Sequence, residues 1–148
     1  MLDDSEFSCL AGVLRERRKK HRFLLTAWVF LTDHIHAILY PPFPLTLSRV
    51  MESIKVGSTL RINGGRKETG LLWQPRFFDR ALRTVKEYHE KLEYIHQNPV
   101  KAGLVSRAED WAWSSAREYS ETVSAPATPH SVLAIDRVLL PANERARI

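Results

Sequence analysis

The stretch from Arg22 to Tyr40 constrains the fold most, because it is rich in strand-forming Phe, Leu, Val, Trp and Ile residues. It is too long for one strand, and Thr32-Asp33 interrupts it, so we predict two adjacent strands joined by a tight turn. The second strand contains His34-Ile35-His36. Because successive side chains of a strand point to opposite faces, the two imidazoles share one face and Ile35 enters the core. Two imidazoles side by side are half of a metal site.

Helical periodicity flanks this strand pair. Apolar residues recur at helical spacing from Glu6 to Lys20, and again after Leu47, where Thr46 or Ser48 is the expected N-cap. The basic residues that end the first helix either interact favourably with the dipole at its C-terminus or bind phosphate. The sequence leaves both roles open. Asn63-Gly64-Gly65 is expected to form a flexible turn after the second helix.

A further strand and a third helix are expected downstream. The segment Leu71 to Arg83, in which arginines alternate with aromatics, is interpreted as a loop entering a strand. A helix is predicted from Val85 to Asn98, because Tyr88, Leu92 and Ile95 form an apolar stripe and Pro99 prevents continuation.

The resulting order of helix, strand, strand, helix, strand and helix is most of a ferredoxin-like (RRM-like) α+β sandwich, with an antiparallel sheet and helices packed on it. That arrangement normally opens with a strand, so the N-terminal strand is expected to be absent here. A missing strand would leave a sheet edge or core surface for a partner chain.

The chain is expected to divide into a domain over residues 1–119 and a tail over 120–148. Two tryptophans in Asp110–Ser115 should anchor the end of the domain. Ser120 to Ser131 is rich in Ser, Thr, Ala and Pro and is interpreted as a linker, and Val132 to Leu140 is a short amphipathic segment that either docks or stays loose.

Composition narrows the protein class. A chain of 148 residues is long enough to bury one core, and no apolar run is long enough for a membrane span. A single cysteine, Cys9, and an acidic N-terminus without a secretory signal favour the cytoplasm. The net charge of +5 permits binding to a polyanion.

Tyr94 and Asn98 add candidate chemistry to the histidine pair. They lie four residues apart in the predicted third helix, so they share one face. Asn98 is the candidate third metal ligand, and Tyr94 would present its phenol to the same phosphate. Tyrosine is a poor nucleophile because its ordinary pKa is about 10, but a metal-polarised phosphate lowers that demand.

Plainer interpretations exist for each residue. A His-apolar-His pattern arises by chance in many strands, and a tyrosine on an amphipathic helix is usually part of a core. Among the four tyrosines, however, only Tyr94 has a ligand-type partner at helical spacing. His96 lies nearly opposite Tyr94 on the helix and is assigned to packing or surface.

Three ordered motifs carry a family resemblance. Ala27–Leu39 resembles the strand pair of the single-tyrosine HUH transposases (IS200-like), Leu92–Val105 resembles the tyrosine helix of their REP-associated branch, and Asp110–Ala116 is similar to the closing motif of that branch. The likeness runs from about Phe7 to Tyr119.

The resemblance implies an activity and its residues. His34 and His36 would bind the metal, Asn98 would complete its site, and Tyr94 would form a 5′-phosphotyrosine while releasing a 3′-hydroxyl. The metal would be Mg²⁺ or Mn²⁺, and the substrate single-stranded DNA near hairpins or repeated extragenic palindromes. The resemblance leaves open a homodimer in which a second subunit completes the active site.

Basic residues among aromatics suit such a substrate, because phosphates bind the charge and unpaired bases stack on rings. The candidates for contacts with the DNA backbone are Lys55, Arg76 and Arg80. The alternative function is that of a truncated or domesticated protein that binds hairpin DNA without cutting it.

Overall fold

The computed structural model describes residues 1–120 and 133–137. Its elements are α1 (Asp4–His21), β1 (Leu24–Phe30), β2 (Ile35–Tyr40), α2 (Leu47–Arg66), α3 (Val85–Lys101), a 3-10 helix (Ala108–Asp110) and α4 (Ala116–Tyr119). The chain divides into two compact units, one of residues 1–24 and 39–79 and the other of residues 25–38 and 80 onward.

Two packed helices form the first unit. The N-terminus of α1 is fixed by a capping box in which the Asp3 side chain accepts from the Glu6 amide and the Glu6 side chain accepts from the Asp3 amide. Thr46 caps α2, as one of the two predicted alternatives. A Cβ at Gly57 of α2 would lie 2.9 Å from Nη2 of Arg17 on α1, so glycine permits the close approach of these helices.

The flexible turn predicted at Asn63-Gly64-Gly65 is wrong, because all three residues belong to the last turn of α2. The helix instead ends at Lys67, whose φ of 56° lies in the left-handed region. Burial of Ile62 and an ion pair between Arg66 and Glu6, with Nη2 and Oε2 2.9 Å apart, stabilise this last turn. These tertiary contacts outweigh the low helix propensity of two glycines.

The predicted strand pair is confirmed by β1 and β2, which form one two-stranded sheet. The link of four residues between them makes the pair an antiparallel hairpin. The other edge of β1 accepts and donates hydrogen bonds as well: Phe30 N donates to Trp113 O at 2.8 Å, Ser115 N donates to Trp28 O at 2.9 Å, and Asp136 N donates to Leu25 O at 2.8 Å. Segments from the C-terminal part of the chain therefore cover this edge.

The core of the second unit lies between the hairpin and α3. Ala27, Val29 and Leu31 pack with Leu92 and Ile95, as the apolar stripe predicted. The expectation that Pro99 ends the helix is wrong, because α3 continues to Lys101 with Pro99 buried inside it. A proline removes one backbone donor, and the burial of its ring offsets that loss.

No strand forms within Leu71–Arg83, so that prediction is wrong. Trp73 instead donates its indole N–H to Ser58 Oγ at 2.8 Å, and Phe78 is fully exposed. The aromatics of this segment therefore do not alternate between two faces of a sheet. The α+β class itself is confirmed.

The tryptophan motif contacts β1, as predicted: Trp111 donates its indole N–H to Phe30 O at 2.9 Å. The predicted linker, Ser120 to Ser131, lies almost entirely outside the described residues, as do the ends of Val132–Leu140. Within the latter, Leu133 is buried and accepts a hydrogen bond from the Trp28 indole at 3.0 Å. The division at residues 119 and 120 remains a prediction. Among the residues that the structure describes, no helix is both long and apolar enough to cross a membrane.

Candidate functional site

The β1–β2 turn positions the two histidines. Leu31 N donates to His34 O at 2.8 Å, which closes the turn immediately before β2. His34 therefore precedes the strand rather than lying in it, whereas His36 is its second residue. The rings are nevertheless adjacent, with centroids 4.9 Å apart and planes at 88°. Ile35, which was predicted to enter the core, is only partly buried.

The environment keeps His36 in the form that binds metals. Burial, followed by electrostatic interactions with His34 and Lys91, lowers the pKa of His36 to about 4. Its imidazole is thus neutral at physiological pH, as metal ligation requires. His34 Nδ1 lies 2.6 Å from Asp33 Oδ1, and the same hydrogen bond lowers the pKa of the Asp33 carboxyl. This contact orients the His34 ring and leaves Nε2 available.

Tyr94 lies against this pair. Its ring centroid is 5.6 Å from that of His36, in an edge-to-face arrangement, and 41% of the residue is exposed. Helix α3 holds it there, because Ile95 next to it is fully buried in the core. The phenol is therefore fixed in position and open to a ligand from solvent.

Asn98 follows Tyr94 by one helical turn, on the same face of α3. Its Nδ2 is buried and has no hydrogen-bond partner among the described residues. An unsatisfied buried donor is costly, and an acceptor such as a phosphate oxygen would satisfy it. The side-chain oxygen of the same amide is a suitable ligand for a hard divalent cation.

In ligand type, two imidazoles and one amide oxygen suit a divalent ion. No group of three or more His, Cys, Asp and Glu side chains able to hold a metal occurs in residues 1–120 and 133–137. Further positions on such an ion would fall to water and a phosphate oxygen, which is an open arrangement suited to catalysis.

The opposite face of α3 is structural. His96 is 8% exposed, and its Nε2 lies 2.8 Å from Ser115 Oγ, which also accepts from Trp28 N at 3.0 Å. Tyr119 donates its hydroxyl to Thr26 O, and burial raises the pKa of this phenol well above its ordinary value. The assignment of His96 to packing is thus confirmed.

The three predicted DNA contacts differ in their surroundings: Lys55 is partly buried, whereas Arg76 and Arg80 are exposed. Lys55 donates to Gln74 O at 2.8 Å and to Arg76 O at 3.2 Å, and its Nζ lies 5.5 Å from the Phe77 ring centroid. It therefore supports the loop in which Arg76 lies. In the second unit, Arg80 pairs with Glu87 at 3.2 Å while its side chain stays 76% exposed.

Sequence reasoning missed two lysines at the tyrosine. Nζ of Lys91 lies 4.3 Å from the Tyr94 ring centroid, and Nζ of Lys101 lies 5.2 Å from it. Their positions, three residues before and seven residues after Tyr94, put all three side chains on one helix face. That spacing was the available signal.

Comparison with known proteins decides the family. The family model described as "Transposase IS200 like" matches residues 2–98. This chain belongs to the IS200-like transposase family. The resemblance that the motifs show to this family is thereby confirmed, and named relatives support the likeness to the REP-associated branch.

Named relatives agree with this family. The chain is 32% identical over 112 residues to a REP-associated tyrosine transposase of Escherichia coli (strain K12), and the match covers 75% of this chain and 65% of that protein. It is 29% identical over 133 residues to a protein of Haemophilus influenzae provisionally given the same name, covering 78% of this chain and 75% of the relative.

A solved structure extends the likeness to the fold. It is described as a REP-associated tyrosine transposase bound to a REP hairpin, and it matches with a TM-score of 0.69 at 26% identity. The match covers 93% of this chain and 83% of the solved chain.

Proposed function

We propose that this chain cleaves and rejoins single-stranded DNA at hairpin or palindromic sites through a 5′-phosphotyrosine on Tyr94. The observation that carries the proposal is the contiguous row of His34, His36 and Tyr94, in which an exposed phenol lies 5.6 Å from a neutral imidazole. Membership in a family of tyrosine transposases, and likeness to a structure bound to a REP hairpin, support the substrate class.

His34, His36 and Asn98 would hold the divalent ion, Mg²⁺ or Mn²⁺, which supplies charge to a phosphate oxygen when it is bound. Asp33 orients the His34 ring, and burial keeps His36 neutral with a free lone pair. Asn98 would bind through its side-chain oxygen, on the same helix face as Tyr94, while its unpartnered Nδ2 could donate to a phosphate oxygen.

The covalent step uses the phenol of Tyr94. Its oxygen attacks the phosphorus of the scissile phosphodiester, the bond from phosphorus to the 3′-oxygen breaks, and the phenolic proton passes to water. The released 3′-oxygen takes up a proton to become the 3′-hydroxyl. Because one phosphodiester replaces another, the reverse attack by a 3′-hydroxyl rejoins DNA without an external energy source.

The test is adduct formation by the full chain. It is incubated with a REP hairpin carrying single-stranded arms and with Mn²⁺ or Mg²⁺, then run on a denaturing gel. We expect an adduct that Tyr94→Phe abolishes and Tyr88→Phe retains, because Tyr88 packs against the core. An adduct that persists in Tyr94→Phe and is lost in Tyr88→Phe would move the nucleophile to Tyr88.

The second candidate is a protein that binds hairpins without cutting them. Its support is the similar solved structure, whose description names binding to a REP hairpin and not cleavage. Hairpin binding with no adduct under either metal is the outcome that selects it. Action on chromosomal DNA favours the cytoplasm, and a homodimer stays a prediction that a mass measurement in solution checks.

A further inference from the structure

Two lysines approach the candidate nucleophile from its own helix. Lys91 and Lys101 place their ammonium groups 4.3 Å and 5.2 Å from the Tyr94 ring centroid. An ammonium over an exposed aromatic ring interacts with it only weakly. The ring alone is therefore a weak partner for two positive charges, and a stronger anionic partner would draw them toward it.

Neither ammonium is neutralised by the part of the chain that the structure describes. Lys86 of the same helix pairs with Glu90 at 3.8 Å, but no carboxylate among the described residues forms an ion pair with Lys91 or Lys101. Two positive charges near one ring create a positive potential there, which favours an anion at the phenol.

The chemistry of the expected anion is that of a phosphodiester. A lysine ammonium is a compact charge with three donors on a flexible stem, which suits the non-bridging oxygens of successive phosphates along an extended strand. A duplex holds its phosphates on a rigid helix, whereas a single strand can adjust its backbone so that successive phosphates reach both ammonium groups. The single strand is therefore the better occupant.

We propose that Lys91 and Lys101 form a lysine clamp that binds the phosphates of the single strand on both sides of Tyr94. The clamp rests on the proposed function, which brings a phosphodiester to this phenol. It adds to that function two residues that contact the substrate backbone and hold the scissile phosphate in line for attack.

The experiment measures the salt dependence of DNA binding. The full chain and the variants Lys91→Met, Lys101→Met and Lys91→Arg are titrated with a REP hairpin carrying single-stranded arms and with the same hairpin lacking arms. Lys86→Met is the matched control, because it removes one charge from the same helix but from an exposed ion pair. Adduct formation at saturating DNA is followed in parallel, and thermal melting verifies that each variant folds.

Counterion release predicts the size of the effect. The slope of log K against log salt is negative, and losing one phosphate contact to a single strand should reduce its magnitude by about 0.7. We expect that loss for Lys91→Met and for Lys101→Met with the armed hairpin, no loss with the hairpin lacking arms, and none for Lys86→Met. Lys91→Arg should restore the slope. At saturating DNA, each methionine variant should form the adduct about tenfold more slowly.

The outcomes separate the clamp from the cleavage activity. If Lys91→Met and Lys101→Met show the same salt slope as Lys86→Met, the clamp is overturned, whether or not the unmodified chain forms an adduct. The two lysines would then only support the ring of Tyr94. An equal loss of slope without the arms also overturns it. Altered slopes with no adduct in the unmodified chain retain the clamp and refute cleavage. If the unmodified chain binds neither DNA, both proposals fail.

Discussion

His36 and His96 share a charge state and differ in everything that surrounds them. Burial lowers the pKa of each to about 4, and burial is the largest cause in both cases. His96 lies 2.8 Å from Ser115 Oγ on the core side of α3, while His36 contacts the rings of His34 and Tyr94. A depressed pKa therefore reports mainly burial and does not by itself identify a metal ligand.

The difference lies in the partners. The hydroxyl beside His96 also bonds the backbone of β1, so that histidine belongs to a closed network. His36 belongs to a row that ends in an exposed phenol. Geometry thus separates a structural histidine from one suited to a metal, and removing each histidine should have opposite consequences for activity and stability.

The largest effect is expected on adduct formation in His36→Ala. Without this imidazole the ion loses one of two nitrogen ligands, and the adduct should form at least about 100-fold more slowly, which corresponds to roughly 2.7 kcal/mol. A denaturing gel with labelled single-stranded DNA measures the rate. In the matched variant His96→Ala, the rate per folded molecule should stay within about threefold, or under 1 kcal/mol. Normal cutting by His36→Ala would refute ligation.

The second effect is on stability and reverses the order of the two variants. His96→Ala should lower the free energy of unfolding by about 2–3 kcal/mol, because it leaves a cavity and removes a buried partner of Ser115. His36→Ala should cost under about 1 kcal/mol, since that ring is only half-buried. Urea unfolding measures the free energy of unfolding of both variants. A larger loss in His36→Ala than in His96→Ala would contradict the assignment of His96 as the structural histidine.

Sequence patterns predicted the parts of this site that local spacing controls. The break at Thr32-Asp33 located the hairpin turn, and alternation brought His34 close to His36 although His34 precedes the strand. The interval of four residues placed Tyr94 and Asn98 on one helix face. These features depend on the periods of strand and helix, which a sequence shows directly.

Sequence patterns failed where distant contacts outweigh local preference. The glycines after Asn63 belong to a helix because Arg66 reaches Glu6, sixty residues earlier. The aromatics of Leu71–Arg83 imitate a strand, but Trp73 bonds Ser58 instead of packing on a sheet. A local signal cannot report a partner so far away in the chain.

The third effect concerns metal affinity and tests Asn98. If its amide oxygen binds the ion, Asn98→Ala should weaken Mn²⁺ binding about tenfold, that is, by about 1.4 kcal/mol. Asn98→Asp should restore or strengthen it, because a carboxylate is a harder and charged ligand. Calorimetric titration with Mn²⁺ measures both variants. Gln97→Ala is the control on the adjoining face, and equal affinities in Gln97→Ala and Asn98→Ala would remove Asn98 from the ligand set.

The smallest effect is expected from Asp33→Asn, which keeps an acceptor beside His34 but removes its charge. The pair is exposed, with side-chain exposures of 48% for His34 and 73% for Asp33, so solvent screens most of the interaction. Mn²⁺ affinity should fall by about twofold, since exposed pairs contribute roughly 0.2–1 kcal/mol. Glu90→Gln, which alters a distant exposed pair, serves as the control. A loss of Mn²⁺ affinity of tenfold or more would show that the charge of Asp33, and not only its position, makes His34 a ligand. The contrast between the candidate site and His96 would then include an electrostatic component as well as a geometric one.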